Sequence, residues 1–131
     1  MGSKYEKPPV LPVKDGESER PIPTAWRPIL KDIVHAFVNH DYQLSAGIRG
    51  VEPVSAETAD HIREYIANYG EVLVDLPDET WTSSVCIWYG NRWDALVDLW
   101  TVSEGRSDLV LNVQVSEAQD DFISVYMVYV P

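Results

Sequence analysis

The side chains that could do acid–base or metal chemistry are three histidines, one cysteine and 21 carboxylates. His35 and His40 are five residues apart, whereas a metal-binding pair on a helix needs a spacing of four. Cys86 lies in an apolar run with no histidine beside it in the sequence, which is typical of inert core cysteines. We therefore predict no metal site, no cofactor and no catalytic residue.

Asp94 and Asp98 are carboxylates that share one face of a predicted strand. Four residues of strand separate their Cα atoms by about 13 Å, too far for a paired-carboxylate hydrolase site on that strand alone. Asp75 or Asp108 could approach them from elsewhere, so a small enzyme of unknown class remains an alternative. We expect these aspartates to lie on an exposed sheet surface and the protein not to be an enzyme.

The acidity of the chain is concentrated in its second half. Residues 1–63 carry 8 Lys/Arg and 9 Asp/Glu, residues 64–131 carry 2 and 12, and the net charge is -11. Nucleic acids and anionic membranes are disfavoured partners, because both are bound mainly through Lys and Arg. A basic protein is a favoured partner, although solubility alone would also account for the charge.

Four of the five tryptophans lie within residues 81–100, in the same acidic half. Tryptophan is enriched among the residues that dominate protein-interface energetics, and an aromatic centre with an acidic rim suits a basic protein surface. The predicted partner-binding residues are Trp88, Asp94, Asp98, Trp100, Glu104 and Asp108.

Two amphipathic helices are predicted ahead of the acidic half. Apolar residues recur at helical spacing between positions 26 and 38, after the potential cap Thr24. A second helix is expected between the cap Ser55 and the stop signal Gly70. Residues 1–23 hold five of the nine prolines and predict a flexible or extended arm, packed through Val10, Leu11 and Val13. Residues 24–131 would then form a single domain.

From residue 71 the apolar period changes to two, which is typical of strands. Strands are predicted at residues 71–76, 84–89, 92–102, 108–115 and 122–130, with Gly90-Asn91 forming a two-residue hairpin loop. Short connections favour an antiparallel meander. The predicted fold is therefore α+β, with two N-terminal helices packed on one face of a mainly antiparallel four- to five-stranded meander sheet.

Residues 27–31, 82–101 and 104–109 resemble a family of small, functionally uncharacterised bacterial proteins. That family is in turn similar to the immunity proteins of contact-dependent growth inhibition toxins. Those are small, acidic, cytosolic proteins that bind a toxin domain, often a nuclease, and block it. The resemblance implies a cytoplasmic antitoxin that masks the active site of a basic toxin domain.

Two alternatives stand beside that function. One is a small enzyme with a pocket between the helices and the sheet. The other is a structural or regulatory module that dimerises through its second sheet face, so the chain would be a monomer or a weak homodimer. The single cysteine suits a reducing cytoplasm, and no apolar run approaches the ~20 residues that a membrane helix needs.

Overall fold

The computed structural model describes residues 8–117 and 122–131 and has the predicted α+β class. The elements in chain order are β1 (Arg20–Pro21), a 3-10 turn (Thr24–Trp26), α1 (Arg27–Val38), α2 (Ala56–Tyr69), β2 (Leu73–Val74), a second 3-10 turn (Asp78–Thr82), β3 (Val85–Trp88), β4 (Trp93–Thr101), β5 (Gly105–Val115) and β6 (Ile123–Tyr129).

The sheet has six strands in the described residues, so the predicted count of four to five is wrong. The strand order is β1-β3-β4-β5-β6, β2 pairs with β4, and all of these pairs are antiparallel. The additional strand, β1, contains only two residues, and a strand this short has no alternation that a sequence pattern could reveal.

The prediction that both helices are N-terminal is also wrong. β1 precedes α1, because residues 20–21 pair with β3, and α2 lies near the middle of the chain after a connection of 17 residues at positions 39–55. Neither described helix is long and apolar enough to cross a membrane.

The two helices begin by different means. Ser55 caps α2 as expected, since its hydroxyl accepts a hydrogen bond from the backbone N–H of Thr58 at 3.2 Å, and Gly70 ends that helix with a left-handed φ of 86°. Thr24 does not cap α1, because its hydroxyl instead accepts the backbone N–H of Val10 at 2.7 Å. That contact ties the N-terminal segment to the start of the helical region.

The core lies between the helices and one face of the sheet. Along β4, buried residues alternate with partly exposed ones, as a half-buried strand requires. Fully buried side chains come from both helices and from β4: Leu30, Ile33, Val34, Ile62, Ala95, Val97 and Leu99. On the other face of β4 the side chains are partly exposed, and of their partners on β5 only Arg106 and Gln114 lie at least partly open, since Val110 and Asn112 are buried.

The described part of the N-terminal segment, residues 8–23, packs through the fully buried side chain of Ile22 and through backbone hydrogen bonds. The carbonyl of Val13 accepts the indole N–H of Trp93 at 3.0 Å, and the backbone N–H of Glu17 donates to the carbonyl of Trp88 at 3.0 Å. The side chains of Leu11 and Val13 are 69% and 41% exposed, so they do not provide the expected apolar contact.

Candidate functional site

The candidate site lies on the sheet face directed away from the helical core. The partly exposed residues of β4 are paired there with residues of β5. Residues directly opposite each other in an antiparallel pair project from the same face. The four pairs along this face are Asp94 with Gln114, Leu96 with Asn112, Asp98 with Val110, and Trp100 with Arg106.

Asp98 is held in place by the segment that precedes β3. The hydroxyl of Ser83 donates to a carboxylate oxygen of Asp98, and the hydroxyl of Ser84 accepts the Asp98 backbone N–H at 2.9 Å. The hydroxyl of Thr80 donates to the Asp98 carbonyl at 2.7 Å. These bonds fix a half-buried carboxylate at the edge of an open depression of about 570 Å³.

Asp108 lines the same depression, together with Arg106. Its side chain is exposed, and its carboxylate forms no hydrogen bond or ion pair with the described residues. Arg106 is likewise exposed and forms no ion pair with the described part of the chain. The depression therefore presents two carboxylates and one guanidinium to solvent.

Tyr69, the last residue of α2, connects Glu104 to this region. Its hydroxyl donates to the Glu104 carboxylate, at 2.9 and 3.0 Å from the two oxygens, and accepts the Asp108 backbone N–H at 3.2 Å. The Asp108 N–H lowers the pKa of Tyr69, but burial and the charge of Glu104 outweigh it, so the pKa is raised. The hydroxyl therefore stays protonated and keeps Glu104 and Asp108 at the same end of the sheet.

Trp100 follows Asp98 on the outer face of β4, lies opposite Arg106, and is positioned by packing. A Cβ atom added to Gly105 would lie 3.5 Å from Cζ3 of Trp100, and Gly105 itself has a φ of 72°, which favours glycine. The indole N–H of Trp100 is buried and has no acceptor among the described residues. We call the group formed by Asp98, Trp100, Glu104, Arg106 and Asp108 the acidic end.

Two of the predicted binding residues lie elsewhere. Trp88 pairs with Trp93 and therefore shares its core-side face, with ring centroids 4.6 Å apart and Lys14 5.1 Å above the Trp88 ring. Asp94 is on the outer face but bonds to the Arg92 guanidinium at 3.0 Å, and its side chain is only 15% exposed. The structure thus brings together four of the six predicted residues, and Trp88 does not neighbour Asp98.

Two of the three histidines and the cysteine make contacts elsewhere. His35 contacts the Asp75 carboxylate at 2.9 Å, and His40 contacts the Tyr42 hydroxyl at 3.1 Å. Within residues 8–117 and 122–131, no group of three or more metal-ligating side chains comes together. Burial, with a contribution from Asp15, raises the pKa of the Cys86 thiol to about 11, so it is not a nucleophile at neutral pH.

Sequence reasoning missed Tyr69 and Arg106. The sequence pattern predicts only that Tyr69 lies on the apolar face of the second helix, and nothing in the sequence links it to a residue 35 positions later. Arg106 did offer a signal, because it is one of two basic residues after position 63. An isolated positive charge within an acidic segment is a reason to examine its surroundings.

Residues 34–131 match the family model described as Domain of unknown function (DUF7668). The match covers 98 of 131 residues, so the chain belongs to this family. No curated protein and no solved structure matches the sequence.

Proposed function

We propose that this member of the DUF7668 family is an immunity-type protein of the bacterial cytoplasm, which neutralises a basic, nuclease-like toxin domain by masking its active site. The observation that carries the proposal is that Asp98, Arg106 and Asp108 line one open depression, with Trp100 opposite Arg106 and Glu104 in the turn that joins β4 to β5. A central aromatic side chain bordered by charged ones is a common composition of protein interfaces.

The charge of the acidic end is complementary to a partner surface that binds phosphates. Asp94 is neutralised by Arg92, so three carboxylates and the Arg106 guanidinium remain, a local charge of -3 + 1 = -2. Nuclease domains hold their substrate backbone largely through Lys and Arg side chains. Carboxylates can occupy those positions through charge-assisted hydrogen bonds, and the net charge of -11 would accelerate the encounter.

Arg106 gives the same surface a means of selecting its partner. Its exposed guanidinium lies in the depression that Asp98 and Asp108 also line. A partner carboxylate could pair with it in a bidentate arrangement, whereas a partner lysine at that position would be repelled. The mixed charge therefore favours one relative orientation of the two proteins, which a purely acidic surface would not do.

The two alternative functions fit the geometry less well. A cleft does open between the helices and β2, but neither Asp94 nor Asp98 lines it, because both aspartates lie on the sheet face away from the helices. A two-fold dimer through the acidic end would place identical carboxylates opposite each other. We therefore expect light scattering at micromolar concentration to give the monomer mass; a dimer that dissociates on Trp100→Ala substitution would contradict this.

The test is co-expression with the product of the adjacent gene, the proposed toxin. Rescue of growth together with co-purification is the expected result for the wild-type chain. Asp108→Lys should lose rescue, because it reverses a charge of the acidic end. The substitution should leave folding intact, since the Asp108 side chain is exposed and its carboxylate bonds to none of the described residues. Asp32→Lys makes the same charge change on the exposed side of α1 and should retain rescue. Equal rescue by the two variants would remove the acidic end from the mechanism.

A further inference from the structure

A second concave surface lies away from the acidic end. A cleft of about 640 Å³ opens between the C-terminal parts of α1 and α2 and strand β2. This volume falls within the roughly 300–1,000 Å³ that small-molecule sites occupy. Most of its lining is apolar and comes from Phe37, Val38, Ile66, Ala67, Val72 and Leu73.

Three polar side chains meet at one wall of this cleft. His40, Tyr42 and Arg63 line both the cleft and a smaller depression of about 250 Å³ beside it, so they form the partition between the two. Nδ1 of His40 is 3.1 Å from the Tyr42 hydroxyl. Burial raises the pKa of Tyr42, and the positive charge of Arg63, which lines the same cleft, opposes that shift.

The backbone of His40 is also unusual. His40 follows the last turn of α1 and has a φ of 63°, in the left-handed region that most often holds glycine at helix ends. Backbone conformations of this kind are concentrated at ligand clamps and active sites. The imidazole of His40 is one of the three polar groups of the partition.

We propose that the cleft binds a small amphipathic monocarboxylate, with its apolar chain against the lining and its carboxylate on Arg63, Tyr42 and His40. The ion pair between Arg63 and Asp60, at 3.2 Å, is exposed on both sides and is therefore readily shared or displaced. A guanidinium carries five N–H donors, enough to serve Asp60 and a ligand carboxylate together.

The remaining charged group of the lining limits the ligand to one carboxylate. Glu71 lines the cleft and accepts a hydrogen bond from the Ser103 hydroxyl, which holds its negative charge in place. A dicarboxylate would bring a second negative charge into a cleft that already contains Glu71. The ligand class is thus a hydrocarbon body with a single anionic head.

The test uses the full chain with octanoate and its uncharged counterpart octan-1-ol, titrated by amide NMR. Arg63→Gln should weaken octanoate binding by about tenfold and leave octan-1-ol binding unchanged, since only the carboxylate uses the guanidinium. Arg49→Gln, an exposed arginine outside the cleft, is the matched control and should change neither affinity.

Ala67→Trp provides a test of the apolar part. Ala67 is exposed and lines the cleft, so an indole there would fill the space without disturbing the core, and both ligands should lose binding. No octanoate binding by the wild-type chain up to about 10 mM, a weak-affinity limit, would overturn the proposal. So would octanoate binding that survives Ala67→Trp, or an equal loss in Arg49→Gln and Arg63→Gln. None of these outcomes bears on the acidic end, which uses different residues.

Discussion

Replacing Trp93 with phenylalanine tests how the N-terminal segment is anchored to the sheet. Trp93 is 2% exposed, donates its indole N–H to the Val13 carbonyl at 3.0 Å, and packs against Trp26 with ring centroids 5.5 Å apart. Loss of the hydrogen bond costs about 1 kcal/mol. The smaller ring leaves a cavity of roughly 40 Å³, which at ~24 cal/mol per Å³ costs about 1 kcal/mol more. The free energy of unfolding should therefore fall by about 2 kcal/mol.

The assay is urea denaturation followed by far-UV circular dichroism, because tryptophan fluorescence would itself be changed by the substitution. Trp81→Phe is the matched control. Trp81 is half-buried, its ring lies 5.5 Å from the Arg27 guanidinium, and the expected loss is below about 1 kcal/mol. A cost below about 0.5 kcal/mol for Trp93→Phe, or equal costs for the two variants, would refute the anchoring role of the Val13 bond.

Two further predictions concern pH. Burial and Asp15 raise the pKa of Cys86 to about 11 from its ordinary 9.0, so alkylation by iodoacetamide at pH 8 should be about 100-fold slower than for a free thiol. Alkylation at the free-thiol rate would contradict the burial of Cys86. The stability that the neutral thiol contributes is present below pH 9 and is lost as the pH rises toward 11. The pKa of Asp41 lies below its ordinary value of 3.8, mainly because the Asp41 carboxylate accepts the backbone N–H of Ser45. The stability that this bond contributes is therefore present above pH 3.8 and is lost as the pH falls through the lowered pKa. A carboxyl NMR titration of Asp41 with a midpoint at or above 3.8 would show that the bond is absent.

Much of the fold could be predicted from periodicity. The stripe of α1 and the alternation of β4 extend over 12 and 9 residues, long enough for the pattern to be distinct, and both elements are found where they were expected. β1 contains two residues and is fixed only by its pairing with β3, a contact between distant parts of the chain. Such pairings depend on tertiary structure, which local sequence does not encode.

One feature of the site could have been predicted from the sequence, and another could not. A two-residue loop at Gly90-Asn91 places Tyr89 opposite Arg92, and therefore Trp88 opposite Trp93, so the core-side position of Trp88 followed from the predicted hairpin. The contact between Tyr69 and Glu104 could not be predicted in this way. It depends on where α2 ends relative to the turn between β4 and β5, which packing determines.

The acidic end accounts for function only if its carboxylates contact the partner. The most direct measurement is the dissociation constant of the proposed toxin partner, the product of the adjacent gene, for the Asp108→Lys and Asp32→Lys chains, determined by calorimetry at several salt concentrations. Close charge pairs across interfaces contribute about 1.5–7 kcal/mol, so Asp108→Lys should weaken binding by about tenfold or more and reduce its salt dependence. Asp32→Lys should stay within about twofold of the wild-type value. Equal affinities and equal salt dependence for the two variants would contradict the account.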